Sequence, residues 1–266
     1  MPIFCVSDLH LGDRGFRDNF AVEGREARFY EFLDFVEAEG GRLYILGDLF
    51  DWWQVNLSRS IRVYQDLLAR LTHMKPLGAL WVVGNHDSAL IHFIGSEIKL
   101  QGLEMPTMSR AFEATIGGKR FAFLHGHESD PYCGDANPGI GEITAIISGL
   151  LEDRNRGPFD RHHHAVEDKF VGTLEGALTL WRMMTFQRDR LGEIIDGVEG
   201  WRKEAEADVV VYGHTHEPGT IGNYHFNTGT WARTNDTFVR IDEDGQASLW
   251  EWLPGKRALA FEHLLR

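Results

Sequence analysis

The sequence predicts an α/β fold in which parallel strands alternate with helices, joined by a second sheet built from hairpins. Short apolar β-rich runs recur along the chain, and each ends in glycine or a cluster of polar residues, as strands buried on both faces do. Helical periodicity fills the intervals between the first three runs, which makes those strands parallel. Two later pairs of runs are joined by Gly117-Gly118 and by Asp242-Glu243-Asp244-Gly245, the residues that hairpin turns require.

Taken in order, Ile3 to Val6 is the first strand and leads into Ser7-Asp8-Leu9-His10. Phe29, Phe32, Leu33 and Val36 then recur at helical spacing until Gly40-Gly41 stops the helix. Leu43 to Leu46 ends on Gly47-Asp48, and Ile61, Tyr64, Leu68, Leu71 and Met74 predict one helix before Pro76. Leu80 to Val83 opens into Gly84-Asn85-His86-Asp87. Phe112 to Ile116 and Arg120 to Leu124 form a hairpin that ends on His125-Gly126-His127. Val209 to Tyr212 delivers Gly213-His214-Thr215-His216, and Phe238 to Ile241 pairs with Ala247 to Trp252. The two hairpins are expected to form a mostly antiparallel sheet near the first. Between His127 and Ala207 helical patterns run through Ile143 to Leu151 and through Phe170, Leu174, Leu178, Trp181, Met184 and Phe186. Residues about 128–206 therefore read as a helical insertion within a single domain, 1–266.

Composition narrows the function classes. Of 266 residues 43% are hydrophobic, which supports a core, while 40 Asp+Glu against 27 Lys+Arg give a net charge of -13. That balance argues against a nucleic-acid polymer as partner, since grip on its backbone comes from clustered Lys and Arg. It leaves open a small phosphorylated substrate. Cys5 and Cys133 are too few for a disulfide framework, the N-terminus lacks a basic n-region, and no apolar run approaches the roughly 18 residues of a spanning helix. The expectation is a cytoplasmic protein without a transmembrane segment, with peripheral contact at the inner membrane left open and the oligomeric state not legible.

The strand ends share one chemistry. Asp8, His10, Asp48, Asn85, His86, Asp87, His125, His214 and His216 offer carboxylate oxygen, imidazole nitrogen and amide oxygen, a set that suits Mn, Zn or Fe. Any one pair is weak: Asp8-Leu9-His10 fits a strand terminus with a turn-forming Asp, and Gly-His-Thr-His fits a surface loop. Five such groups in order, each behind a buried strand, point to a site where strand carboxyl ends gather. Alternation along a strand sets Asp8 and His10 on one side, and His214 and His216 likewise. The Asp48 carboxylate has two oxygens with which to bridge two cations, and a cation pair about 3.5 to 4 Å apart suits in-line displacement at phosphorus.

In this order the motifs resemble those of the calcineurin-like metallophosphoesterases: Asp8-Leu9-His10, Gly47-Asp48-Leu49-Phe50-Asp51, Gly84-Asn85-His86-Asp87, the single His125, and Gly213-His214-Thr215-His216. The resemblance implies a four-layer α/β/β/α sandwich, with the helical insertion added, and two divalent metal ions, Mn favoured and Zn or Fe compatible. It implies that Asp8, His10, Asp48 and His216 hold one ion and Asp48, Asn85, His125 and His214 the other. It also implies a metal-bridging hydroxide as nucleophile, and a catalytic His86 beside the substrate phosphate, oriented by Asp87. Asp51 and His127 are candidates for supporting a ligand or the substrate, against helix-start and solvated-loop alternatives. Trp52-Trp53 reads as packing or pocket wall, His162-His163-His164 as an exposed turn, and Asn227-Thr228-Gly229-Thr230-Trp231 as support for the site floor.

Within the family the motifs look most like the UDP-2,3-diacylglucosamine hydrolases, which implies a nucleotide-linked acylated sugar as substrate. Apolar insertion residues Ile146, Ile147, Leu150, Leu151, Trp181, Met183 and Met184 are placed to accept an acyl chain or to pack on the sandwich. One departure stands out: that branch carries G-N-R-D where this chain has Gly84-Asn85-His86-Asp87, which keeps a phosphodiesterase or phosphomonoesterase of another small metabolite as the alternative. A non-catalytic scaffold, like the retromer subunit, would be expected to lose ligands that are all present here, and a nuclease would want a basic groove.

Overall fold

The structure is a computed structural model that describes residues 1–15, 18–22, 24–95, 99–100, 103–130, 133, 190–232, 236–253 and 257–260. β1 (Ile3–Val6) pairs in parallel with β2 (Arg42–Leu46), and α1 (Arg25–Ala38) connects them. α2 (Leu57–Val63) and α3 (Gln65–Thr72) lead to β3 (Leu80–Val82), which is parallel to β2. The single helix expected here is two, because Tyr64 leaves helical geometry at φ -106°, ψ 20°. Its ring is buried and its hydroxyl donates to Asp18 Oδ2 at 2.6 Å, which ties the joint to the loop after β1.

A two-stranded ribbon follows, β4 (Lys99–Leu100) with β5 (Leu103–Glu104), then β6 (Thr107–Ser109) beside β3. β7 (Phe112–Ile116) and β8 (Lys119–Phe123) form the expected hairpin. After the insertion come β9 (Val209–Tyr212), β10 (Gly219–Ile221), β11 (His225–Asn227), β12 (Thr237–Ile241), β13 (Ala247–Leu253) and β14 (Arg257–Ala260).

The strand orders are β14-β13-β12-β1-β2-β3-β6 in one sheet and β10-β11-β9-β8-β7 in the other. Two expectations are corrected. The β12–β13 hairpin joins the first sheet, antiparallel to β1 with Ile3 opposite Ile241, and the second sheet is mixed, since β8, β9 and β11 run parallel. Alternation along the hairpin gives the reason: Phe238 and Trp252 face the α1 side with Phe4, while Val239, Ile241 and Leu249 face the other sheet with Cys5. A hairpin apolar on both faces needs cover on both.

Three core layers follow from this. Phe4, Phe32, Trp81 and Trp231 lie between the first sheet and α1–α3; Cys5, Leu46, Phe123 and Val211 lie between the sheets; Leu124, Val210 and Tyr212 meet Ile194 and Val198 of the helical residues 190–204. That is the α/β/β/α order. Most of the expected insertion, including its helices at 143–151 and 170–186, His162-His163-His164 and the seven apolar residues considered as an acyl-chain surface, lies outside the described residues. Among the described residues no helix is long and apolar enough to cross a membrane.

Candidate metal centre

The strand ends turn sharply to assemble the site. Asp8, His10, Asp48, His214 and His216 all have positive φ, between 49° and 68°, a region that side chains with a Cβ seldom adopt. Each such residue costs on the order of 1–3 kcal/mol, which persists where the surroundings over-determine it. The Asp8 N–H donates to Gly47 O and the His10 N–H to Asp48 O, so the exits from β1 and β2 are cross-linked. Gly47, at φ 94°, carries no side chain because the His125 ring occupies the space where a Cβ would stand.

Two groups of side chains, each able to hold a cation, result, Asp8, His10 and His216 and then Asp48, His125 and His214, and a third, His10, Asp48 and His86, overlaps both. In the first, His10 Nε2 and His216 Nε2 are 3.0 Å apart and His216 Nε2 is 3.1 Å from Asp8 Oδ1. Asp8 Oδ2 accepts from the Ser7 hydroxyl and from the His214 N–H, but among the described residues Oδ1 is buried without a hydrogen-bond partner. In the second, His125 Nε2 is 3.3 Å from Asp48 Oδ2 and 3.0 Å from Asn85 Oδ1, while His125 Nδ1 lies 2.7 Å from Leu46 O. That carbonyl can only accept, so the hydrogen sits on Nδ1 and Nε2 faces the site.

Asp48 stands between the groups. Its Oδ1 accepts from the His86 N–H at 2.9 Å, leaving Oδ2 to lie 3.8 Å from His10 Nε2 and 3.3 Å from His125 Nε2. A buried carboxylate oxygen without a donor and two facing imidazole nitrogens are what a cation requires, so the residues present fit divalent metal ions.

His86 is held from two sides. Its Nδ1 lies 2.8 Å from Asp51 Oδ1, the ring stacks on Trp53 with centroids 3.9 Å apart, and Nε2 is 4.0 Å from Asp48 Oδ2. Asp51, not Asp87, is therefore the carboxylate that orients His86. Both oxygens of the buried Asp87 are taken by backbone N–H groups, those of Gly84 and Leu49, so it fastens the loop instead. Trp52 packs on Phe50 and donates to Ser60 Oγ, which separates the roles of the paired tryptophans. His127 is buried with its ring 5.3 Å from that of His125. The floor holds as expected: Thr230 Oγ1 donates to Asp8 O at 2.8 Å and Trp231 N–H to the same oxygen.

Charge in the site is arranged around Asp8 and Asp48. Burial works to raise both carboxyls, but the His216 and His10 rings hold Asp8, and the His125 and His86 rings hold Asp48, well below the usual range. Burial works to lower His10 and His125; the carboxylates, Asp8 and Asp48 chief among them, overcome it and push His10 up to about 9 and His125 up to about 10. Burial and the Asp48 charge raise Asp87 to about 7, and burial lowers His214 to about 4. Protons on His10 and His125 thus stand in for cations. A raised histidine contributes stability that is complete below its unfolded pKa near 6.5 and lost as pH climbs through the folded value. The metal-free protein is therefore expected to lose thermal stability between about pH 6.5 and 10, while added Mn2+ restores more of it as pH rises, because ligands must shed protons to bind. Melting scans at pH 6, 8 and 10, with chelator and with Mn2+, check this; a metal-free melting temperature that holds level over that span would contradict it.

The family model for calcineurin-like phosphoesterases matches residues 1–218, which contain every candidate metal ligand named above. The chain belongs to that family, and it is a phosphoester-hydrolysing enzyme. Among curated relatives it is 27% identical to a UDP-2,3-diacylglucosamine hydrolase of Chromobacterium violaceum over 278 residues, 94% of this chain and 98% of that one. It is also 27% identical over 132 residues to the Porphyromonas gingivalis protein of the same name; that match spans 47% of this chain and only 46% of the relative. The solved structure of Vacuolar Protein Sorting 29 from Cryptosporidium parvum matches with TM-score 0.45 at 13% identity, covering 98% of each chain.

What the sequence reading missed is Asp130, a buried carboxylate 2.6 Å from His214 Nε2. It lies inside a segment read as insertion, and no spacing rule relates it to the strand-end motifs.

Proposed function

We propose that this protein hydrolyses a phosphoester or pyrophosphate bond in a small phosphorylated substrate at a centre of two divalent ions, with Mn favoured. The observation that carries the proposal is Asp48 Oδ2, which faces imidazoles of both ligand groups. Asp8, His10, Asp48 and His216 would hold one ion, and Asp48, Asn85, His125 and His214 the other. Bound there, such ions supply acidified water and neutralise charge on phosphoryl oxygens. The chain's own residues do the rest. Asp51 and Trp53 fix the His86 ring so that Nε2 is directed to the rim of the site, where it would hydrogen-bond the phosphoryl group or give a proton to the departing oxygen.

For substrate, a UDP-diacylglucosamine pyrophosphate is the leading reading, supported by the name shared by both relatives, one of them aligned over nearly the whole chain. His86 favours a second reading, another small phosphodiester or phosphomonoester, because the position that carries Arg in that branch here holds an imidazole locked in place by Asp51. A cytoplasmic enzyme that meets its substrate at the inner-membrane surface is consistent with the first. Assay of mono-, di- and pyrophosphate esters with Mn2+, a UDP-diacyl sugar among them, separates the two. Turnover of the lipid at least tenfold above simple esters is expected; its absence alongside diester turnover selects the second reading, and no turnover of any ester sinks both.

A further inference from the structure

The turn after β8 carries a carboxylate aimed at one of the proposed ligands. Residues His127–Ser129 form a short helical turn, and Asp130 follows it with Oδ2 2.6 Å from His214 Nε2. The same oxygen accepts from Arg190, at 2.9 Å from Nε and also from Nη2, and Nη2 reaches Cys133 Sγ at 3.3 Å. An Asp held by a guanidinium is ionised and accepts only, so the hydrogen between it and His214 belongs to the imidazole. Nε2 is thereby a donor, which leaves Nδ1 as the nitrogen with a lone pair to offer the group that His214 forms with Asp48 and His125.

The oxygen has little room to move. Arg190 stands at the start of the helical residues 190–204, whose Ile194 and Val198 are buried against Leu124, Val210 and Tyr212. On the same face, any side-chain carbon at Gly197 would overlap Ser129, so helix and turn are in direct contact. A carboxylate behind a metal-binding imidazole fixes its tautomer and orientation and raises its basicity, and losing such a partner typically lowers metal affinity about 10- to 100-fold.

We propose that Asp130, braced by Arg190, is a positioning residue that sets the Nε2–H tautomer of His214 and so ties the two ends of the insertion to the metal centre. The proposal rests on the reading of this site as a cation centre, and the measurements separate the two. Mn2+ is titrated into the metal-stripped full chain by calorimetry. Asp130→Ala is expected to weaken one Mn2+ about 10- to 100-fold and leave the other within about threefold, and Asp130→Asn, whose amide oxygen still accepts, to recover most of the loss. A purely structural role would lower the melting temperature and leave affinity alone. Independently of any variant, long-range 1H–15N spectra of the parent chain are expected to show His214 protonated at Nε2. Unchanged Mn2+ binding in Asp130→Ala, or a His214 protonated at Nδ1, overturns the inference while leaving the proposed function standing; a parent chain that binds no Mn2+ overturns the proposed function, and the tautomer still decides the link between Asp130 and His214.

Discussion

Asp48→Asn is expected to reduce hydrolysis of an aryl phosphodiester in Mn2+ by about 10^3-fold or more, equal to at least about 4 kcal/mol of transition-state stabilisation. The substitution isolates a single atom. An asparagine can keep the acceptor that receives the His86 N–H, so the loop joining β3 to the site retains its anchor. What changes is the atom in the place of Oδ2, which lies within 4.0 Å of His10, His86 and His125 nitrogens. An amide NH2 has no lone pair to offer a cation and turns two hydrogens toward those nitrogens. Both proposed ion sites lose a ligand at once, so the bound-metal content measured after dialysis should fall along with activity. Asp48→Ala should be at least as inactive and less stable, because it also strands the His86 N–H. Activity of Asp48→Asn within tenfold of the parent would show that Asp48 does not join two ions.

Much of this centre was legible because its residues fall at the carboxyl ends of short apolar strands, where composition changes abruptly from Val, Ile and Leu to Asp, Asn and His. The ladder register does the rest: with β1 beside β2 and β2 beside β3, residues 8, 48 and 85 are neighbours in space as soon as the strands pair. Strand alternation was the wrong reason for the D-x-H spacing, however. Asp8 and His10 converge because both leave the strand with positive φ, a property of the backbone that no side-chain pattern announces. The sheet to which β12 and β13 belong was hidden for a related cause. A hairpin apolar on both faces fits either sheet by sequence, and only the pairing of Cys5 with Val239 decides. Asp87 and Asp51 show the limit most clearly. Both stand inside the family motifs, and the resemblance gave Asp87 the role of orienting His86, yet the turn after β3 directs Asp87 back to the Gly84 and Leu49 N–H groups and leaves the imidazole to a residue 35 positions away.

That exchange of partners supplies the second large effect. His86→Ala is expected to lower kcat by about 10^2- to 10^4-fold, the usual range for loss of a positioned acid or base. If His86 protonates the departing oxygen, the deficit depends on how much that oxygen needs a proton. It should be greatest with an alkyl ester and shrink toward tenfold with a nitrophenyl ester, whose leaving group departs unaided. Asp51→Asn should follow the same leaving-group trend at smaller amplitude, since the ring keeps its stack on Trp53 but loses the carboxylate that holds its Nδ1. Two residues acting through one proton are not additive, so the double variant should be little worse than His86→Ala alone. Asp87→Asn, in contrast, should change stability more than the leaving-group trend, because its oxygens meet backbone rather than imidazole. An equal deficit for His86→Ala on alkyl and nitrophenyl esters would reassign the imidazole from proton donor to a hydrogen-bond donor on the phosphoryl group.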